Sequence, residues 1–225
     1  MLGELCKTIA FGGRVGFVVS FFVVAQRVPF QRQKCEPTPE EASIPMAIEA
    51  TSIAGVFVIS SDEHHDGRGF FRQSYQIPEL TLALGRPIQF LQGNHSRSHA
   101  NVLRGFHAEP WDKCIYVTRG TAICVVADIR PHSKTFGQSL MFVLGDPPGR
   151  RIRLFVAEGL CNAFYCETEV DYLNEVSEIF TPQGRGGVAW NDPYLNVAWP
   201  NKNPVISDFD ANLPKLHTLF PDRFT

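Results

Sequence analysis

At 225 residues, 44% of them hydrophobic and 20% charged, the chain has the make-up of one folded domain, or one domain with an extension, and not of a disordered polymer. A formal net charge of −2 excludes a general electrostatic attraction to nucleic acid or anionic membrane, so any cationic site has to be local. Eighteen phenylalanines favour a β-rich core.

The first 45 residues differ in character from the rest. "VGFVVSFFVVA" (15–25), preceded by Lys7 and Arg14, is an apolar run of 11 residues. That is shorter than the ~17–25 residues that cross a bilayer. It has the form of a signal-peptide core with Ala25 as a cleavage position. The next stretch, "RQKCEPTPEEASIP", reads as a polar, proline-containing linker. The favoured reading starts the functional chain at Met46, because "MAIEATSIAGVFVIS" begins at once with strand-like sequence; an exported precursor is the competing one. Three segments are expected: a leader over 1–45, a domain over 46–214 and a tail over 215–225. Of the six cysteines, Cys6, Cys35, Cys114, Cys124, Cys161 and Cys166, none forms a C-x-x-C pair or a zinc-spaced array with histidine. That pattern suggests reduced thiols and a cytoplasmic protein.

From Ile53 onward, short apolar segments alternate with Gly, Pro and Asp. Strands are expected over 55–60, 88–96, 113–120, 121–130, 137–145, 151–159, 162–167 and 170–180, with a helix over 78–85. A spacing of roughly ten residues per strand is that of a sandwich or barrel. "ICVVA" is apolar on both faces, so its strand should be covered on both sides. The expected class is all-β: an antiparallel jelly roll, cupin-like, with a few short helices.

Chemistry concentrates in "VLRGFHAEPWDK" (102–113), at the start of a strand. In a regular strand Arg104 and Phe106 face one way and Leu103 and His107 the other. Gly105 lies between Arg104 and His107 and permits a bulge that brings both to one site. A lone strand histidine is by pattern more often structural. Lys113 has a bland reading as a strand-end cation, Arg68 as a turn residue and Asp210 as a cap. "WNDP" (190–193) reads as a turn without a catalytic role. His64, His65, His95, His99 and His132 are taken as surface or supporting groups.

"DGRGFFRQSY" (66–75), "FLQGNHSRSHANVLRGFH" (90–107), "DIRPHSKTFGQ" (128–138), "AEGLCNAF" (157–164), "WNDP" and "ISDFDANLP" (206–214) occur in the order of the dTDP-4-dehydrorhamnose 3,5-epimerase family. The chain resembles that family over about residues 46 to 215. The resemblance implies a cupin-like jelly roll that assembles as a homodimer and needs no metal or other cofactor. Its substrate would be a nucleotide-linked 4-keto-6-deoxyhexose, epimerised at C3, C5 or both in deoxysugar biosynthesis. By residue, it implies that His107 is the base, Asp210 the carboxylate that orients it and Lys113 the cation near the enolate oxygen. Arg68 and Arg104 match positions that bind the sugar nucleotide, and Phe70, Gln92, Asn94 and Phe180 match other substrate contacts.

The departures are specific. Aligning "VDYLNEVSEIFTP" puts Asn174 where the family carries the tyrosine that acts as acid, and Asn162 where it carries a second histidine. Gln73 and Arg185 replace acidic positions near the nucleotide base, which suggests a nucleotide other than dTDP. Tyr172, two residues before Asn174 and so on the same face roughly 7 Å away, is the substitute acid to consider. Two alternatives stay open. A metal-dependent cupin is disfavoured, since "FHAE" offers only His107 and Glu109 and the later ligand position is Asn162. A nucleotide-sugar-binding cupin without turnover is kept alive by Asn174 and Asn162.

Overall fold

Residues 46–224 are described in the computed structural model; the leader, with Cys6 and Cys35, lies outside the described residues. Thirteen strands follow in chain order. They are β1 (Met46–Ala50), β2 (Val56–Ser61), β3 (His64–Asp66), β4 (Gly69–Phe71), β5 (Gln92–Ser98), β6 (Leu103–Ala108) and β7 (Lys113–Arg119). Then come β8 (Thr121–Asp128), β9 (Ser139–Gly145), β10 (Arg153–Val156), β11 (Leu160–Cys166), β12 (Val170–Val176) and β13 (Gly186–Gly187). The helices are short: α1 (Ile77–Leu84), α2 (Asp208–Ala211) and α3 (Leu216–Leu219).

One sheet has six strands in the order β1-β2-β10-β7-β12-β5, and the other has five in the order β13-β6-β11-β8-β9. The hairpin β3–β4 stands apart as a two-stranded sheet. Every strand pairing is antiparallel. The fold is the expected cupin-like jelly roll, built from strands that alternate faces with a period of two.

Three apolar layers result. Between the sheets lie Ile115 and Val117 of β7, Cys124 and Val126 of β8, and Leu160 and Phe164 of β11. Outside the five-stranded sheet, Ile123, Val125, Ala127, Cys161 and Ala163 pack under the C-terminal segment. The strand holding "ICVVA" is thus covered on both faces, as its composition requires. Outside the six-stranded sheet, Cys114, Phe155 and Ile59 pack under α1 through Leu80. That helix carries Pro78 in its first turn and ends on Gly85, at φ 65°, the usual left-handed stop.

The segment set apart as a tail does not hang free. Leu216 is fully buried in the outer layer, and its N–H donates to Asp192 Oδ2 at 2.8 Å. The other oxygen of Asp192 accepts from the N–H groups of Tyr194 and Leu195. "WNDP" therefore fixes a turn and also moors the chain end. Phe220 and Phe224 close on Phe136 with ring centroids 5.7 and 6.3 Å away. Cys114, Cys124, Cys161 and Cys166 are buried free thiols.

Candidate active site

The site depends on an irregularity in β6. His107 pairs with Asn162 and Arg104 with Phe164, so Gly105 and Phe106 together oppose Ala163 alone. This is a β-bulge, with two residues on one strand against one on its partner. Gly105 sits at φ 109°. A Cβ there would lie 2.6 Å from the Asn162 carbonyl oxygen and 2.8 Å from Ala163 Cα, so only glycine fits. The extra residue resets the alternation. Leu103 and Phe106 enter the outer apolar layer, while Arg104 and His107 both face a cavity of about 150 Å³ between the sheets.

His107 Nε2 lies 2.7 Å from Asp210 Oδ1. The Gly105 N–H donates to the other carboxylate oxygen at 3.3 Å. Ser207, not Asp210, caps α2, its hydroxyl accepting from the Asp210 N–H; the Asp210 side chain is thereby free to turn toward the histidine. Burial works to raise the Asp210 pKa, but the hydrogen bond and charge of His107, with the Gly105 N–H and Ser207, outweigh it and hold the carboxyl below the ordinary range. An ionised carboxylate only accepts, so Nε2 carries the ring hydrogen and Nδ1 keeps the basic lone pair of the neutral ring.

On the facing sheet Lys113 is 2% exposed. Its ammonium donates to Asn162 Oδ1 at 2.7 Å and to the His107 carbonyl at 3.2 Å, and pairs with the Glu109 carboxylate. These three partners satisfy an otherwise costly buried charge. Asn162 continues the network, its Nδ2 donating to the Tyr172 hydroxyl at 3.3 Å. Tyr172 is nearly buried and stacks on Phe164 with centroids 4.0 Å apart. Burial is the main cause that pushes its phenol pKa well above the usual 10.

A second run of amides borders the cavity. The Phe180 N–H donates to Gln92 Oε1 at 2.9 Å, Gln92 Nε2 to Asn94 Oδ1 at 2.6 Å, and Asn94 Nδ2 to Asn174 Oδ1 at 2.9 Å. A backbone N–H can only donate, so it fixes the sense of the whole run. Arg104 donates from Nε to the Ser98 hydroxyl at 2.9 Å. Among the described residues it forms no ion pair, unlike the cavity cation Lys113.

The fold brings His107, Asp210, Lys113, Arg104, Asn94, Asn162, Tyr172 and Asn174 together, with Gln92 one amide removed. Others stand apart. Arg68 sits on the β3–β4 hairpin with its side chain 91% exposed and paired to Asp66. It shares a separate cleft with Phe70. Gln73 accepts from Gln76 through Oε1. Phe180 packs edge-on to Trp111. Arg185 lies over the Phe209 ring at 3.5 Å, and that ring is 6.2 Å from the His107 ring; Arg185 therefore backs the base. Sequence reasoning missed Glu109, His95, Ser96 and Phe164 as cavity residues. The His-x-Glu spacing of His107 and Glu109 is a signal that could have found the first. Among the described residues no three His, Cys, Asp or Glu side chains converge as a metal set.

The family model described as dTDP-4-dehydrorhamnose 3,5-epimerase matches residues 50–218. The chain belongs to this family. The dTDP-4-dehydrorhamnose 3,5-epimerase of Shigella flexneri is 32% identical over 172 residues, 74% of this chain and 94% of that protein. A dTDP-4-dehydrorhamnose 3-epimerase of Streptomyces niveus is 33% identical over 174 residues, 74% of this chain and 82% of its own. Among solved structures, the 3,5-epimerase of Legionella pneumophila in complex with dTDP-4-keto-L-rhamnose superposes with a TM-score of 0.73 at 28% identity. That match covers 80% of this chain and 97% of the other. The family match runs to residue 218 and so takes in Leu216, the residue that moors the chain end.

Proposed function

We propose that the protein is an epimerase of a nucleotide-linked 4-keto-6-deoxyhexose, inverting C3, C5 or both by proton abstraction next to the C4 ketone. The observation that carries this is the His107–Asp210 pair facing a small cavity, open to solvent, that also holds Lys113. The ketone acidifies the neighbouring C–H bonds, so the protein has to supply a base, a cation for the enolate oxygen and a proton source. His107 takes the proton through Nδ1, and Asp210 holds the ring and its Nε2 hydrogen in place. Lys113 stabilises the enolate, whose oxygen takes the place of one of the three present partners of the ammonium. Arg104, the cavity cation without a carboxylate partner, holds the sugar nucleotide, since a guanidinium suits a diphosphate. This chemistry asks for no metal or other cofactor.

Arg68 and Phe70 bind substrate only through assembly. Both stand on an exposed hairpin away from the cavity, so the homodimer we propose would place them, with Gln73, at a second copy's site. Phe180 anchors the amide run, and Arg185 acts through the Phe209 ring that it covers beside His107. A biosynthetic role on nucleotide sugars fits a cytoplasmic protein; among the described residues no helix is long and apolar enough to cross a membrane.

Deuterium exchange tests the reading. In D₂O with 4-keto-6-deoxyhexoses linked to dTDP, UDP, GDP and CDP, at least one should lose its C3 or C5 proton signal, and His107→Ala should abolish that loss. The replacement of the family's acid position by Asn174 favours a second reading, a cupin that binds a nucleotide sugar without turning it over. Binding without exchange would select it.

A further inference from the structure

We propose that Asn162 aims the Tyr172 hydroxyl into the cavity, so that this phenol, rather than Asn174, returns a proton to the sugar on the face opposite His107. The inference rests on the epimerase reading above and deepens it.

Two groups that can only donate fix the hydrogen-bond directions. The Lys113 ammonium has no acceptor, so the Asn162 atom 2.7 Å from it is the carbonyl oxygen. The Asn162 amide nitrogen then faces Tyr172 and donates to the phenol oxygen. With its oxygen accepting there, the phenol hydrogen points away from Asn162, which leaves it free for a group in the cavity. At the other amide, the Phe180 N–H sets the run so that Asn174 accepts through Oδ1. Asn174 therefore offers Nδ2–H donors, which can hold a substrate oxygen but are too weakly acidic to protonate carbon.

Placement agrees with direction. His107 stands on β6 in one sheet and Tyr172 on β12 in the other, and both line the cavity between them. The two side chains enter the cavity from different sheets, the phenol reaching across to Asn162, and a hexose seated between them would meet the base on one face and the phenol on the other, which is what inversion needs. Stacking on Phe164 fixes the tyrosine ring. Its burial keeps the phenol protonated at neutral pH, ready to donate.

The step balances. His107 Nδ1 takes the C3 or C5 proton, and the C–H electron pair delocalises onto the C4 oxygen. The Tyr172 O–H bond then breaks as a new C–H bond forms on the opposite face and the ketone re-forms. Phenolate and imidazolium remain, and they are reset by a proton taken from water and one given to it.

The test separates exchange from inversion. Using an NDP-4-keto-6-deoxyhexose that the wild type exchanges, one follows deuterium wash-in and inverted product together. Tyr172→Phe should lower inversion by about 10²–10⁴-fold while His107-dependent exchange persists. Asn162→Asp keeps the shape and the Lys113 contact, yet a carboxylate accepts from the phenol and turns its hydrogen out of the cavity. It should also lose inversion while keeping exchange, and adding Tyr172→Phe to it should cost nothing more. A merely structural role for Asn162 would depress exchange and inversion together, and that result overturns the proposal. So does wild-type inversion in either variant. No exchange in the wild type sinks the epimerase reading and this inference with it.

Discussion

At the scale of single residues, the site is a set of charges each held by a named partner. Asp210 is the clearest case. In Asp210→Asn an amide faces His107 and can present its N–H₂ to Nε2, which moves the ring hydrogen to Nδ1 and removes the lone pair aimed at substrate. The expected loss in kcat is about 10²–10⁴-fold with little change in KM. The acid side of the pH dependence follows from the same pair. A carboxyl held below its unfolded value contributes stability that is whole above about pH 4 and is lost as pH falls through the depressed value. Wild type should thus lose stability in acid over a range where Asp210→Asn changes less, as urea unfolding at stepped pH would record. Which residues gather at the cavity was largely legible: His107, Asp210 and Lys113 stand in the family's motifs, and the fold brings them together. Hydrogen-bond direction was not. The amide run is oriented by the Phe180 N–H, 88 positions from the Gln92 it meets, and no local pattern announces such a contact.

At the scale of elements, alternation made most strands readable, and "ICVVA" even disclosed its two covered faces. Boundaries were less so. The strand expected from 88 begins only at Gln92, and the one expected to reach 180 ends at Val176. The β3–β4 hairpin escaped notice because "DGRG" looks like turn alone and each strand is three residues long. In β6, Gly105 hinted at a bulge, but its position relative to Ala163 needed the pairing register. Gly105→Ala is the direct check. Backbone conformation alone should cost about 1–3 kcal/mol, and the clash with β11 adds to it. A lower midpoint in thermal unfolding, with exchange activity lost more steeply than stability, is the expected outcome; a variant with wild-type activity would mean that the bulge does not set the site.

For the molecule as a whole, the exposed hairpin is the part that a single copy leaves unexplained. Phe70 and Phe71 are 46% and 63% exposed, and two-stranded ribbons are at best marginal when unsupported. Sedimentation equilibrium should return twice the chain mass, and Phe71→Glu should shift it toward the monomer and weaken substrate binding. A wild-type monomer at micromolar concentration would defeat the proposed assembly. The β6 bulge has a last consequence, for how such a chain can change in length. Its two-against-one count assigns Arg104 and His107 to the cavity and Leu103 and Phe106 to the apolar layer behind. Losing the extra residue would restore one-to-one pairing with β11 and keep those faces, whereas one more residue between Leu103 and His107, paired in the ordinary way, would turn a charged side chain into that layer and a hydrophobe into the site. Insertions in this strand are therefore closed to descendants of the sequence, as they are in the neighbouring turn, where Trp111 and Asp112 are buried and Asp112 bonds Arg86, Ser177 and Glu158.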